Sequence, residues 1–316
     1  MFPTIVIDRM NEPAPRVFAI ILNWNDFDDT YECVNSLRTV DYPRLDIVLV
    51  DNNSSDGSAA KLREAFPSLP LIVSPHNSGY AAGNNAGILF ALEQGAEYVL
   101  ILNNDVVVDK DFLFPLLELM QQDSRIGVAS GKIFYYGNRE RVFYAAGRFS
   151  KLFCTGLNFP RDFLLTVDID SSSFVDYVCG CMLLVRREVF VDLGLFDERF
   201  FMYFEDIEFS RRVAKQFFLA YVPQSVIYHK CGAGLKWRSL TEVYLYYHTR
   251  NRLWVFRNDQ ILYRLYVGLF TISNALAKAC AVSLNLVSDR KKAVRQLLAI
   301  TKGIKDGFFG VEKTIP

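Results

Sequence analysis

Polar residues able to do chemistry sit in this chain directly behind short apolar runs. Residues 17–22 run into Asn23-Trp24-Asn25, and residues 46–50 into Asp51-Asn52-Asn53-Ser54-Ser55-Asp56-Gly57. Residues 69–73 lead to Asn77-Ser78-Gly79-Tyr80-Ala81-Ala82-Gly83-Asn84-Asn85, and residues 98–102 run into Asn103-Asn104-Asp105. One such Asn- and Gly-rich segment is ordinarily a turn. Four of them at matching places predict a single concave polar site. Asp51 can accept a hydrogen bond from the N3–H of a uracil or thymine ring, or it can cap its own loop through an Asx turn, the reading preferred for Asp56. Gly79 and Gly83 let backbone approach a ligand closely, with Asn84 and Asn85 offering amide contacts from the following helix. Asp105 can hold a divalent cation against a diphosphate, since hard cations prefer carboxylate oxygens, or it can serve a turn.

A second constellation follows the aromatic strip Phe200-Phe201-Met202-Tyr203-Phe204. Glu205 and Asp206 stand where a helix begins, and the helix dipole favours carboxylates there. Asp206 can be a general base against an apolar wall, or a cap. Glu208 is expected to pair with Arg211 or Arg212. His229, one of three histidines, closes a short apolar run and is either a metal ligand or a surface imidazole. His248 lies in an aromatic and basic helix, residues 244–254, suited to contact with a phosphate or an acceptor.

Such groups need a scaffold. Apolar runs of five or six residues, separated by helix-length segments, predict a parallel sheet covered on both faces. Helices are expected near residues 28–38, 59–66, 81–94, 187–193 and 205–217. Residues 130–174 read as loops and short antiparallel strands over the sheet. Residues 174–185 read as one strand, and 219–222 and 226–229 as two. In open sheets of this kind, ligands sit at the carboxyl ends of the strands.

Composition bounds the rest. The 316 residues carry 35 Lys+Arg and 35 Asp+Glu, which argues against a nucleic-acid partner held by a global positive field. No G-x-G-x-x-G follows the first run and no Walker lysine is present, which disfavours dinucleotide oxidoreductases and P-loop NTPases. The six cysteines form no disulfide framework and no zinc spacing. The opening residues lack a leader pattern, so the expected location is cytoplasmic, extending to the inner face of the cytoplasmic membrane. Residues 265–288 are long enough to span a bilayer, but Asn274, Lys278 and Asn285 interrupt them. From Asp259 onward nine Lys/Arg face four Asp/Glu. This suits amphipathic helices that pack on the protein or lie on anionic lipid.

Taken in order, Ile21-Leu22-Asn23-Trp24-Asn25, Val50–Gly57, Gly79–Asn85, Leu102–Asp105 and Phe196–Asp206 resemble family 2 glycosyltransferases of the GT-A fold, and within them the bacterial rhamnosyltransferase-like branch. The resemblance covers residues 17–257. It implies an α/β fold, a mostly parallel central sheet with helices on both faces, plus a C-terminal helical extension. Residues 1–16 then form an N-terminal extension, 17–257 the transferase domain and 258–316 a C-terminal amphipathic segment.

It also implies a nucleotide-diphospho-sugar donor, Mg²⁺ or Mn²⁺, and inversion at the anomeric carbon. Asp51 would bind the pyrimidine. Asn23, Asn53, Gly79, Gly83, Asn84, Asn85 and Asn104 would line the donor site. Asp105, the last residue of a D-x-D-type motif, would hold the metal with His229. Asp206 would be the catalytic base, and Gly180, Glu205 and Arg250 would shape the acceptor and donor-sugar side. Asn103 replaces the first Asp of D-x-D, which lowers the negative charge. The branch favours dTDP-L-rhamnose as donor and a glycan or lipid-linked glycan as acceptor, with peripheral membrane contact through the C-terminus and a homodimer left open. A sugar-phosphate nucleotidyltransferase would want a Gly-rich basic loop after the first strand. A non-catalytic glycan-binding relative would be expected to lack Asp105 or Asp206. A processive synthase would need transmembrane helices and Q-x-x-R-W.

Overall fold

The structure is a computed structural model, and it describes residues 14–159, 168–230, 240–284 and 289–310. The expected N-terminal extension (up to residue 13), Cys231 and Asn285 lie outside the described residues.

Four parallel strands form one half of the sheet: β1 (Val17–Asn23), β2 (Leu45–Asp51), β3 (Leu71–Val73) and β4 (Tyr98–Asn103). They lie in the order β3-β2-β1-β4, and the sheet continues through β10 (Met182–Arg186), β6 (Ile126–Tyr135), β11 (Phe218–His229) and β5 (Val106–Val108). Residues 17–21 of β1 are buried on both faces, as continuous Val and Ile runs require in a sheet covered twice. The two covers are α1 (Phe27–Leu37) and α3 (Gly79–Glu93). Side chains alternate along a strand, so Asn23, which accepts from Thr30 of α1 at 2.7 Å, faces opposite to Phe18, whose ring meets Phe90 of α3. Between them run α2 (Ser58–Ala65) and, later, α4 (Leu113–Gln122).

Glycines set how closely α3 lies on β1. A Cβ at Gly83 would sit 2.6 Å from Leu22 Cδ1, and one at Gly87 would sit 2.3 Å from Ile20 Cγ2. Gly83 therefore serves helix–sheet packing, not the ligand approach expected of it.

The middle of the chain departs from the sequence reading. Residues 126–150 form two long strands, β6 and β7 (Asn138–Ser150), paired antiparallel and followed by β8 (Thr155–Phe159). β6 is a central strand, not a cover. Its Gly131 passes so close to Ser225 that a Cβ would meet the Ser225 carbonyl oxygen at 2.2 Å. Residues 174–185 hold two strands, β9 (Ser173–Val175) and β10, and the chain between them leaves the strand ladders except for one isolated bridge, from Tyr177 to Gly147 of β7. There the Cys179 and Cys181 sulfurs, two residues apart and on one side of the chain, come within 3.4 Å. The two short strands expected near 219–229 are one, β11, with a register shift between Val222 and Val226 around Pro223.

After β10 come α5 (Arg187–Leu193) and α6 (Glu205–Val213). Three further helices, α7 (Glu242–Val255), α8 (Ile261–Ser283) and α9 (Arg290–Phe309), build a second core from Leu245, Tyr246, Tyr247, Ala275, Val282 and Ala293. Thr241 and Asp289 cap α7 and α9 by accepting from the amides of Tyr244 and Lys292. α8 is long and apolar enough to cross a membrane, yet Val267, Thr271, Ala275 and Val282 face inward and are buried.

Replacing Gly87 with Val should overpack the α3–β1 contact and destabilise the chain by about 1–3 kcal/mol in chemical denaturation. Unchanged stability would contradict the close approach.

Candidate active site

The ends of β1, β2 and β4 are tied together by their own polar residues. Asn23 donates to Asp51 Oδ1 at 2.7 Å and to Ser54 Oγ at 3.0 Å, and Asn104 donates to Thr30 Oγ1 at 3.0 Å. Asp51 is 1% exposed, and its Oδ2 accepts the Ser54 amide at 2.9 Å, so the loop-capping role is realised. A carboxylate has about four acceptor positions, which leaves capacity beyond these two bonds. Asn53 stands exposed on the loop in the left-handed region (φ 61°). A pocket of about 180 Å³ opens here, lined by Trp24, Asp26, Asn52, Asn77, Gly79, Tyr80 and Asn104 among others. Asp26 and Asn52 were not singled out from the sequence. Burial, then the neighbouring charge of Asp29, push the Asp26 carboxyl up to about 6. Asn52 donates to Asn77 Oδ1 and to the Gly79 carbonyl and accepts from the Ser78 amide, joining the end of β2 to the start of α3.

Gly79 has φ 87°, and a Cβ there would lie 2.3 Å from the Phe201 carbonyl oxygen, which accepts the Tyr80 amide at 2.6 Å. Its freedom therefore admits the 199–204 loop beside the pocket. Asn84 donates to the Tyr80 carbonyl, while its buried Oδ1 has no partner. Asn85 is engaged at both ends: it donates to the Phe196 carbonyl and Glu198, and accepts from the Phe196 amide. It holds a loop, which corrects its expected place in the donor pocket.

Asp206 lies in the first turn of α6. Oδ1 takes the Ile207 amide at 2.8 Å, a local bond. Oδ2 takes the Tyr177 hydroxyl at 2.7 Å and the Gly180 amide at 3.1 Å, both from the segment between β9 and β10. The Gly180 carbonyl in turn accepts the Tyr80 hydroxyl at 2.7 Å. Burial raises the Asp206 carboxyl above its usual value, and these three bonds pull the other way. The adjacent Glu205 is 8% exposed with Oε2 unpartnered; burial, then the charge of Asp206, push it well above the usual range. The pair thus presents one bonded carboxylate beside one carboxyl favoured in its neutral form. Glu208 pairs with Arg212 at 2.9 Å, as expected.

The loop entering α6 is strained: Tyr203 and Phe204 have φ of 68° and 71°. Such conformations cost about 1–3 kcal/mol each outside glycine. Asn251 of α7, fully buried, opposes that strain by donating to the Met202 and Tyr203 carbonyls at 2.9 and 2.7 Å. Arg250, 1% exposed, donates to the Arg199 carbonyl and packs over Trp254 at 4.2 Å. That corrects its expected contact with substrate: it supports the loop from behind.

Asp105 and His229 meet because β4 turns directly into β5, and β5 pairs with the last residues of β11, placing His229 opposite Val106. His229 Nε2 lies 3.0 Å from Asp105 Oδ1. Burial alone would raise the Asp105 carboxyl, but the His229 bond and charge hold it below its usual value. Lys230, unnoticed in the sequence, fixes this corner: its amide donates to the Asp105 carbonyl, and its ammonium pairs with Asp29 and Glu32 of α1. The two acids are linked by a short relay of contacts. His229 Nδ1 is 3.8 Å from Cys181 Sγ, and Gly180, the preceding residue, holds Asp206.

No group of three or more metal-binding side chains occurs among the described residues. Asp105 and His229 nevertheless converge as an oxygen and a nitrogen donor, and Asn103 keeps a buried side-chain oxygen without a partner two residues away. This set fits a divalent cation whose other positions are filled by phosphate oxygens and water.

Changing Asn251 to Ala should leave the Met202 and Tyr203 carbonyls unmet and cost about 1–3 kcal/mol per buried group. Protection of the Glu205 and Asp206 amides from hydrogen exchange should fall with it. Unchanged protection would show that α7 does not hold this loop.

The profile described as Glycosyl transferase family 2 matches residues 18–194, more than half of the chain. The chain is 28% identical over 207 residues to an N-acetylglucosaminyl-diphospho-decaprenol L-rhamnosyltransferase of Mycobacterium tuberculosis, covering 59% of this chain and 67% of that protein. It is 24% identical over 267 residues to the dTDP-rhamnosyl transferase RfbF of Shigella flexneri, covering 78% and 81%. Likeness to the low-salt glycan biosynthesis hexosyltransferase Agl10 of Haloferax volcanii is 29% over 203 residues, 62% of this chain and only 61% of that relative. In fold it is similar to the mannosyltransferase PcManGT from Pyrobaculum calidifontis in complex with GDP-Man and Mn²⁺ (TM-score 0.57, 17% identity, 95% and 92% covered). With four parallel strands ending in linked polar residues and the family profile matched over more than half of its length, the chain belongs to glycosyl transferase family 2.

Proposed function

We propose that this chain transfers one sugar, L-rhamnose from dTDP-L-rhamnose, with inversion, onto a hydroxyl of a lipid-linked glycan in cell-surface polysaccharide synthesis. The observation that supports the reading is the relay of contacts that links Asp105 to Asp206 through His229, Cys181 and Gly180. Asp206 and His229 lie beyond the profile-matched residues 18–194, so their roles rest on this geometry. The names of the rhamnosyltransferase relatives support the donor and the polyprenyl-diphosphate acceptor. A hexosyl donor is the second reading, favoured by the likeness to a hexosyltransferase.

A divalent cation bound by Asp105 and His229 would neutralise charge developing on the leaving diphosphate. Asp206 accepts the proton of the acceptor hydroxyl while that oxygen forms its bond to C1. The C1–O bond to the diphosphate breaks, and its electron pair leaves with the phosphate oxygen. Tyr177 and Gly180 orient the Asp206 carboxylate, and burial strengthens it as a base. Asp51, Asn23 and Asn104 stand at the nucleotide end, with Asn52 and Gly79 shaping the pocket wall. α8 turns an apolar stripe outward, Leu262, Leu265, Leu269, Ile272 and Leu276, all exposed. Spaced three and four residues apart, they would lie on the membrane bearing the acceptor.

Transfer is tested with dTDP-L-rhamnose, Mn²⁺ and a polyprenyl-diphosphate-linked amino sugar, and the expected product is the singly rhamnosylated lipid. A chain that neither transfers nor hydrolyses any dTDP-, UDP- or GDP-sugar would contradict the reading. Asp206→Asn should lower kcat about 10²–10⁴-fold with donor affinity retained. A near-normal rate would remove Asp206 from the mechanism. Asp105→Asn should weaken Mn²⁺ and donor binding together in calorimetry, and unchanged metal affinity would place the cation elsewhere.

A further inference from the structure

One group of cations in the chain has no counter-charge among the described residues. On α7, Tyr244, His248 and Arg252 recur every four residues and so share a face. Opposite them on α8 stands Lys278, with Nζ 3.4 Å from His248 Nδ1 and 4.7 Å from the centre of the Tyr244 ring. The Arg252 guanidinium lies 5.6 Å from the Phe204 ring and 5.2 Å from the Phe270 ring. Arg252 is 5% exposed and its Nε has no hydrogen-bond partner.

The neighbouring arginines differ. Arg211 is paired with Asp259, Arg212 with Glu208, and Arg250 donates to Arg199 and Asn251. Burial together with the like charges of Arg252 and Lys278 pushes His248 well below its usual value, and burial with Arg252 pushes Lys278 down to about 8. Buried like charges left in this state are costly unless an anion joins them.

We propose that Arg252, Lys278 and His248 form a binding pocket for the phosphate or diphosphate of the acceptor. A planar guanidinium and a flexible ammonium on facing helices suit an anion with several oxygens better than a single carboxylate. The pocket's position fits that ligand. Phe204 packs on both His248, at 5.0 Å between ring centres, and Arg252, and it immediately precedes Glu205 and Asp206. A phosphate seated there lies one aromatic ring from the general base, so the sugar it carries is presented to Asp206. This inference rests on the transferase reading for the identity of its ligand, but not for the clustering of the three cationic side chains.

The probe is inorganic pyrophosphate, titrated calorimetrically into the full chain without divalent metal. Wild type should bind it, and Arg252→Gln and Lys278→Gln should each lose about tenfold or more in affinity. Asp105→Asn should bind as wild type does. Lys278, only half buried, supplies the variant least exposed to misfolding, and thermal unfolding of both proteins checks this. Affinity indifferent to both substitutions, or lost with Asp105→Asn, would overturn the pocket.

Sedimentation with phosphatidylcholine vesicles containing phosphatidic acid separates the two sources of phosphate. Binding that shares the variants' sensitivity assigns the pocket to a lipid phosphate. Indifferent vesicle binding with sensitive pyrophosphate binding assigns it to a soluble one. Acceptor-free donor hydrolysis distinguishes the underlying reading: intact hydrolysis with variant-indifferent pyrophosphate leaves the transferase without the pocket, whereas absent hydrolysis with variant-sensitive pyrophosphate leaves the pocket without the transferase.

Discussion

The peptide at Gly180 is the hinge of the site. Its N–H reaches Asp206 at 3.1 Å, and its carbonyl takes the Tyr80 hydroxyl at 2.7 Å. One residue later, the Asn103 amide donates to the Cys181 carbonyl at 3.1 Å, at the mouth of β4. A single short segment thus connects the start of α3, the end of β4 and the start of α6. It can do so because the chain leaves the strand ladders between β9 and β10. Had residues 174–185 been one continuous strand, the Gly180 amide would belong to the sheet ladder, and Asp206 would lose its orienting donor.

Around that segment the fold invests strain and burial. Two successive non-glycine residues with positive φ lead into α6, and a buried Asn251 compensates them from a helix outside the sheet. The α7–α9 cluster is therefore more than an appendage, since it holds the loop on which the acidic pair is mounted. The same helices bring His248 and Arg252 against the Phe204 ring, next in sequence to the acidic pair.

Much of this was legible in the sequence, for physical reasons. Buried parallel strands need continuous apolar runs, and β1, β2 and β4 show them within a residue of their ends. Their polar termini mark the cleft because backbone and side chains at strand ends are released from the sheet. β6 was not legible. Its centre carries Ala129, Ser130, Gly131 and Lys132: Gly131 makes room for Ser225 of the kinked β11, Ser130 donates to the Met182 carbonyl of β10, and Lys132 pairs with Asp170. Periodicity cannot report a contact made ninety residues away. The errors at Asn85, Gly83 and Arg250 share one origin. Residue type reveals an amide, a missing Cβ or a guanidinium, whereas only packing decides whether a loop, a helix or a ligand uses it. Asp26 and Lys230 escape for the converse reason, since a lone Asp or Lys in a polar loop carries no pattern, and Asn52 is hidden among the polar neighbours of its own segment.

Paramagnetic broadening by Mn²⁺ tests the proposed nearness of the two acids most directly. In ¹H–¹⁵N spectra of the chain with dTDP, Mn²⁺ should broaden the amides of Gly180, Cys181 and Asp206 together with those of Asp105 and Lys230, and Asp105→Asn should abolish the effect. Broadening that reached Asp105 and Lys230 but left Gly180 and Asp206 sharp would separate the two acids and contradict the account.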